Sequence, residues 1–373
     1  MRILIGSDIC PINRNEITLC EARIAAKTKD FFCGYDLFLA NLESPLTERV
    51  SSCCKYGESF MASPKTLAGL KSIGINLLSL ANNHIMDQGV EGLRETIAAL
   101  NAYKINWFGA GDNLAAAARP YFFQCGENMI GLLAFSEPFF AAASRRRAGA
   151  NIFETPHIVR SFIGLPENCF KIILLHGGNE HCHLPNPLIK DTARMLAELG
   201  AGLIIVQHSH CIAGYEKWKN AMIFYGQGNF IFDYPIASQS WFKGILIEII
   251  VSNNRMNNFR IIPFEQAAGE SLITILEGEQ KNSLLDEIEQ YSKILCDDDK
   301  YEIEWDKYCE ELRRSYQSII LGHGNLLFRL NKKFGISDRI ISSSTAMLQG
   351  RTFRCPSHLE VIKNLYSIEK TTK

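Results

Sequence analysis

Short apolar runs, each closed by a polar residue with donor chemistry, recur along this chain from residue 2 to about residue 263. The clearest is Leu203-Ile-Ile-Val206, which runs straight into Gln207-His-Ser-His210. A continuous apolar run of that length suits a strand buried on both faces, as in a parallel sheet. Residues 2–7, 37–40, 76–80 and 171–175 read the same way, and 106–108 is a shorter relative. A hairpin is predicted over 121–124 and 129–135, turning at Gly126-Glu-Asn128. Strands at 222–225, 244–251 and 259–263 follow without intervening helices.

Between the runs the period lengthens. A helical stretch after the first strand presents Ile17, Ala22, Ile24, Ala25 and Ala26. Pro64 opens another through Ile73, with Ser63 as its N-cap. From Gly89 a helix places Leu93, Ile97 and Leu100 on one face, and 188–199 is a further one, stopped by Gly200 and Gly202. Residues 47–59 and 136–156 read as loops. This order predicts an α/β domain with a central sheet, part parallel and part antiparallel, covered by helices. Past about residue 275 the pattern turns helical and charged, over 283–295 and 305–321, with Asp297-Asp-Asp299 as a turn or cap and further helical segments to the end. Two regions are therefore expected: a domain over 1–270 and a helical C-terminal appendage over 275–373. The appendage is expected to pack on the domain and to supply no metal ligand, His323 and His358 included.

Composition narrows the function classes. The chain has 373 residues, 47% of them hydrophobic, enough for a large core. Its 39 basic and 40 acidic residues give a net charge of −1, without the basic excess that a nucleic-acid or anionic-membrane partner favours. No apolar run reaches the ~18 residues of a membrane span. The opening Met-Arg-Ile-Leu-Ile-Gly-Ser-Asp8 reads as a strand rather than a secretory signal. Twelve cysteines without periodic spacing, among them the adjacent Cys53-Cys54, do not resemble a secreted disulfide framework. A cytoplasmic location is expected.

The strand ends carry the chemistry. In open α/β sheets, ligands bind beyond the carboxyl ends of the strands. Those ends here offer Asp8, Glu43, Asn83-His84, His176 and the pair His208 and His210, which strand alternation would place on one side. Taken singly, a carboxylate there is a cap, Asn82-Asn83 a turn, and His-x-His a hydrogen-bonded pair. Taken together they are a hard-to-borderline donor set for metal. A carboxylate such as Glu43 can bridge two cations while Asp8 anchors one, and imidazole nitrogens and an asparagine carbonyl add neutral donors. Two cations ~3.5–4 Å apart would supply hydroxide at neutral pH and clamp a phosphoryl oxyanion. His84 would then be free to protonate a leaving oxygen. Cys10 either ligates as a thiolate or fills space. Arg145-Arg-Arg147 either grips an anionic substrate or is solvated. His181 and His183 suit a rim, with Glu180 orienting an imidazole. Asn229, after Gly226-Gln-Gly228, lies where backbone approaches a ligand or simply turns.

At these residues the chain resembles the poly-γ-glutamate capsule-synthesis (CapA) family, which has the calcineurin-like metallophosphoesterase fold. The matching stretches are Gly6-Ser-Asp8, Asn41-Leu-Glu-Ser-Pro-Leu-Thr47, Ser79-Leu-Ala-Asn-Asn-His84 with Asp87 and Gly89, His176-Gly-Gly-Asn-Glu180, Gln207-His-Ser-His210 with Glu216, and Tyr225-Gly-Gln-Gly-Asn-Phe-Ile-Phe-Asp233. The resemblance implies a four-layer α/β/β/α sandwich with the helical appendage. It implies metal-side roles for Asp8, Glu43, Asn83, His176, His208 and His210, and a catalytic role for His84 beside Asn83. Cys10, Asn41, Glu180, Glu216 and Asn229 would support the site or touch substrate. One or two divalent ions (Mn, Fe or Zn) and an anionic small-molecule or polymer substrate follow from it. So does a metal-dependent hydrolase or transferase serving capsule or other cell-surface polymer synthesis (poly-γ-glutamate or polysaccharide), with a membrane-bound biosynthetic complex as partner. The chain departs from the pattern at four places. Ile9-Cys10 stands where the broader phosphoesterases carry Asp-x-His, Ser7 interrupts the usual Gly-Asp, and Gln207 replaces a glycine. The N-terminal membrane anchor of many members is not seen in this sequence. The alternative is a non-catalytic assembly factor that keeps the fold, and metal content separates the two.

Overall fold

Strand β1 (Arg2–Cys10) is buried at every position after Arg2, because both of its faces are covered. Ile3 and Ile5 point to one side and Leu4 to the other, as strand alternation requires. The computed structural model describes residues 1–51, 57–137, 140–234, 239–266, 269–321 and 325–337. The Cys53-Cys54 pair, His323, His358 and the segments expected beyond residue 337 lie outside them.

The first sheet runs β16 (Ile273–Ile275), β15 (Arg255–Gln266), β14 (Lys243–Ser252), β1, β2 (Leu37–Leu42), β3 (Leu77–Ser79) and β4 (Asn106–Phe108), with β13 (Asn229–Phe232) also paired to β1. The strands from β1 to β4 are parallel, and β14 returns antiparallel to β1. The second sheet runs β11 (Tyr215–Trp218), β12 (Ala221–Phe224), β10 (Leu203–Gln207), β9 (Phe170–His176), β7 (Asn128–Ser136) and β6 (Tyr121–Cys125). Two-residue strands β5 (Ala110–Gly111) and β8 (Gly149–Ala150) form a small pair of their own.

The two sheets share one apolar layer, in which Ile3, Ile5 and Leu39 meet Leu132, Leu174 and Ile205. The outer face of the first sheet packs Leu4, Phe38 and Leu78 against Leu19 of α1 (Arg14–Cys20), Leu70 of α3 (Leu67–Ser72) and Leu93 of α4 (Gly89–Tyr103). Helices α6 (Thr155–Ile163) and α7 (Pro187–Glu198) cover the second sheet. In α7 the Asn186 side chain accepts from Ile189 N, Pro187 starts the first turn, and Ile189, Ala193 and Leu196 face inward. The result is a four-layer α/β/β/α sandwich.

Pattern alone predicts one central sheet; there are two. After β4 the chain leaves the first sheet, and β7 pairs with β9 instead of extending it. Periodicity reports that a strand is buried on both faces, not which edge it joins. The first helical stretch is also broken: Ala22 sits at φ 50° between α1 and α2 (Ala26–Phe31). Strands β5, β8, β11, β13 and β16 are too short or too mixed in polarity to stand out by pattern.

The chain divides into compact units at Met1–Cys296 and Asp297–Lys373. Helix α8 (Gly278–Leu295) belongs to the first. Its Leu284 and Ile288 complete an apolar cluster with Ile212, Ile245 and Leu276, and Ser292 Oγ accepts from Tyr215 N at 2.9 Å. Gly214 has no side chain where α8 passes; an added Cβ would lie 2.5 Å from Ser292 N. The second unit holds α9 (Asp298–Ile320), capped by Asp297, and α10 (Asn325–Phe334). Asn331 joins them by donating to Arg314 O at 2.9 Å and Ser318 Oγ at 2.7 Å. Among the described residues, no helix is long and apolar enough to cross a membrane.

A buried ion pair fastens β11 to α7. Arg194 Nε and Nη2 each donate to Glu216 at 2.9 Å, Tyr225 Oη donates to Glu216 Oε1 at 2.6 Å, and the guanidinium lies 4.1 Å from the Trp218 ring centre. Removing one side of a buried pair costs about 3–5 kcal/mol. Glu216→Ala should lower the unfolding free energy in urea by that order. A loss below about 1 kcal/mol would assign the fastening to the surrounding apolar contacts.

Candidate metal centre

The strand registers set the site. Asp8 lies across from Asn41 on one side and Asn229 on the other, and Asn41 across from Ser79, so a polar row crosses the first sheet at its carboxyl edge. In the second sheet Gln207 lies across from His176. Gln207 also joins the sheets, its Nε2 donating to Gly6 O and Gln227 Oε1 at 3.3 Å each.

Asp8 and Glu43 are fully buried. Asn41 Nδ2 donates to Asp8 Oδ1 at 2.8 Å, and the His208 backbone N–H reaches Asp8 Oδ2 at 3.3 Å. His176 Nε2 has Asn83 Oδ1 at 2.9 Å and Glu43 Oε1 at 3.1 Å, two oxygens around one nitrogen. Its Nδ1 faces Asn41 Nδ2 at 3.3 Å. Asn82 braces this arrangement by donating to Asn41 Oδ1 and Leu42 O, while its Oδ1 accepts from His84 N. His210 Nδ1 meets Asn229 Oδ1 at 2.8 Å. The Asn229 amide nitrogen is directed to the Trp241 and His210 carbonyls, so its oxygen is the one facing His210. His210 thereby donates from Nδ1 and keeps Nε2 bare, 3.9 Å from Glu43 Oε1.

Three groups of donor atoms gather within 4.8 Å of one another: Asp8, Glu43 and His210; Glu43, His176 and His208; and Glu180, His208 and His210. Glu43 is shared by two of them. His208 and His210 do not project from a strand. β10 ends at Gln207, and both histidines sit beyond it with positive φ, 95° and 55°. Such backbone is uncommon for a residue with a Cβ and persists where surroundings over-determine it. The turn, rather than strand alternation, brings both rings to the donor cluster.

Burial dominates the electrostatics. It raises Asp8 from 3.8 to about 7, with the Glu43 charge adding to the rise. It lowers His176 from 6.5 to about 4 and His210 to about 3, and holds His208 well below its ordinary range. None of the charged neighbours that shift these four groups is a lysine or arginine. Two buried carboxylates and three neutral imidazoles are gathered there.

His84 stands beside this cluster. Its Nδ1 lies 2.7 Å from Asp87 Oδ2, which also accepts from Phe60 N at 2.7 Å. Sequence reasoning passed over Asp87 as a partner, although Asn-His-x-x-Asp spacing places the two a turn apart. A cavity of about 360 Å³ opens here, lined by His84, His210 and Glu180 together with Phe60, Tyr234 and Trp241. These aromatic residues were also missed; the density of rings from Phe230 to Phe242 was the available signal. A larger cleft of about 740 Å³ opens at the opposite ends of β9 and β10, and none of the clustered donors lines it.

The remaining candidates separate. Glu180 is exposed, its carboxylate 3.9 Å from His208 Nε2. Cys10 is buried with Phe232 and Trp241, burial pushes its thiol well up, and it joins none of the donor groups. Glu216 is held by Arg194 and Tyr225, away from the cluster. Arg147 donates to Ala142 O, and none of the three arginines at 145–147 lines the cavity. His183 bonds Ile212 O and stacks on Tyr291, whereas His181 stays on the rim.

The fold and this cluster define a class: α/β sandwich proteins that gather histidines and carboxylates where two sheets meet at their carboxyl edges. The chain belongs to the family described as "Bacterial capsule synthesis protein PGA_cap", whose profile matches residues 13–234. It is 25% identical over 284 residues to the "Capsule biosynthesis protein CapA" of Bacillus anthracis, covering 73% of this chain and 64% of that one. To the "PGA biosynthesis protein CapA" of Bacillus subtilis (strain 168) it is 26% identical over 242 residues, covering 63% of this chain and 62% of that one. The chain thus spans a little under two thirds of the length of these relatives. Among solved structures, a novel phosphatase from Mycoplasma pneumoniae aligns with TM-score 0.44 and 12% identity, over 76% of this chain and 96% of that one.

The buried histidines make the stability of the metal-free protein depend on pH. Between about 6.5 and 4, the unfolded chain's histidines take up protons that folded His176 and His210 refuse, so stability falls on acidification. Asp8 works in the opposite sense, since its folded carboxyl protonates from about 7 downward and the unfolded one only near 3.8. Three lowered histidines outweigh one raised carboxyl. The urea midpoint of EDTA-treated protein should therefore drop as pH falls from 6.5 to 4. A flat or rising midpoint would contradict the burial of neutral imidazoles.

Proposed function

We propose that this protein is a metal-dependent phosphoester hydrolase or transferase serving the assembly of a capsule or other cell-surface polymer. One observation carries the chemistry: two buried carboxylates and three buried imidazoles converge, with donor atoms within 4.8 Å of one another in groups that share Glu43 or His208. Buried carboxylates are tolerated when paired or when they hold a cation. The donor set of nitrogen and carboxylate oxygen fits Mn, Fe or Zn. Asp8, Glu43 and His210 would hold one ion; Glu43, Asn83, His176 and His208 would hold a second, with Glu43 common to both. Bound divalent ions supply an activated water at neutral pH and neutralise charge on a phosphoryl oxygen.

The chain's own residues do the rest. Asn229 holds the His210 imidazole so that its bare Nε2 faces the cluster, and Asn41 holds the His176 ring in place through Nδ1. Asp87 backs His84 through Nδ1, so a proton held at Nε2 is supported by a buried carboxylate when it passes to the departing oxygen. Phe60 packs against His84, with ring centres 4.6 Å apart, and limits how far the imidazole swings. The polymer pathway rests on family membership and on the names of the relatives; the chemistry rests on the cluster.

Two variants separate a protonating histidine from a coordinating one. His84→Ala should retain bound Mn yet slow turnover by about 10²–10⁴-fold on alkyl phosphoesters, and by less on p-nitrophenyl esters, whose leaving group departs without a proton. His208→Ala should lose metal and turnover together. Metal analysis alongside a phosphoester panel reads both. A wild type that holds no metal, or two variants that keep full turnover, would replace the hydrolase by a non-catalytic assembly factor.

A further inference from the structure

The cavity beside the cluster has a wall chemistry that the proposed reaction does not explain. From His84 the rings continue through Phe60 to Phe232, with centres 4.6 and then 5.3 Å apart, and from Phe232 to Trp241 at 4.9 Å. Tyr234 extends the wall 5.5 Å from Trp241 and donates its hydroxyl to Glu58. Glu58 and Glu180 are the two carboxylates at the mouth, both exposed. Among the described residues, no lysine or arginine lines the cavity. Arg14, the nearest in sequence to this end of β1, is committed to both oxygens of Asp233.

A flexible polyanion is poorly served by such a mouth. Like charges set opposite one another oppose binding, and among the described residues of the wall no cation compensates them. A ring with apolar C–H faces and hydroxyl edges is well served. Its face lies against Tyr234, Phe60 or Trp241, and its hydroxyls donate to Glu58 and Glu180, which in their ionised form only accept. The volume, about 360 Å³, suits one such ring and its ester oxygen.

We infer that the alcohol half of the substrate is a sugar, so that the ester cleaved is a sugar phosphate with its phosphoryl group at the donor cluster and its ring in the aromatic cavity. This rests on the hydrolase reading above. In the step, water forms a new P–O bond and gives up one proton, the P–O bond to the sugar breaks, and the sugar oxygen keeps that electron pair and takes a proton from His84, which the water's proton then replaces. Free sugar and phosphate leave.

The experiment uses the full chain loaded with Mn²⁺ and three probes. Glucose 6-phosphate and glycerol 3-phosphate are esters of primary alcohols that differ in the ring. A γ-glutamyl oligomer represents the polyanion. KM should be about tenfold lower for the sugar phosphate than for the glycerol ester, the size of one aromatic stacking contact. Tyr234→Ala should bring that ratio toward one, and Phe60→Ala should lower it independently. In a tryptophan-fluorescence titration the sugar phosphate should saturate where the oligomer at equal concentration gives no change. Equal KM values for the two esters, or tighter binding of the oligomer, overturns the sugar assignment while leaving the hydrolase standing. Saturable sugar-phosphate binding without turnover of either ester supports the pocket and overturns the hydrolase. Absence of saturable binding overturns the pocket whatever the turnover.

Discussion

Two carboxylates buried where two sheets meet are the constraint around which this molecule is arranged. Asp8 belongs to the first sheet, yet the backbone N–H of His208, just past the second, points at it. Glu43 follows β2 and sits among imidazoles delivered by the second sheet. Bringing those charges out of water is unfavourable unless partners are fixed in advance. The polar row Asn229–Asp8–Asn41–Ser79, the Asn82 brace and the Gln207 clasp between the sheets are those partners. They also hold the two sheets in one relative register, so the fold and the site are specified by the same contacts.

Much of this was legible in the sequence. Apolar runs ending in Asp8, Glu43, Asn83, His176 and His208-Ser-His210 became strands whose carboxyl ends share one edge region, because parallel strands must present their ends together. What periodicity omitted has a physical reason in each case. It scores burial, and so does not separate one sheet from two. It assumes regular backbone, and so placed His208 and His210 by alternation when positive φ places them. The resemblance counted Glu216 toward the site, whereas its carboxylate is taken by Arg194 of α7. Cys10 lies two residues beyond Asp8 on β1, but its thiol is absorbed by Phe232 and Trp241. The aromatic wall escaped notice because rings in a sequence look like core until a cavity is seen beside them.

The family profile begins at residue 13, after Asp8, and ends at residue 234, before β14 and β15. Both omitted parts are central to the fold. β1 lies between β2 and β14, and β14 pairs with β15 along ten positions. The matched stretch therefore carries most of the donor set but not the strand that seats it. The first carboxylate is contributed by residues whose place is set through pairing with Asn41 and Asn229 rather than through a local motif.

The packing of α8 bears on where this protein can be cut. The helix lies beyond the last strand, in a region whose charge pattern reads as appendage, yet it presses on backbone at Gly214 and closes the apolar cluster around Ile212 and Ile245. A fragment ending after the sheets would expose that cluster and release the Tyr215 amide from Ser292. Those losses fall only a few residues after His210, on the turn that carries both histidines. The smallest fragment that keeps this packing is accordingly Met1–Cys296, and a helix remote in sequence acts as a wedge that keeps the second-sheet side of the donor cluster in place.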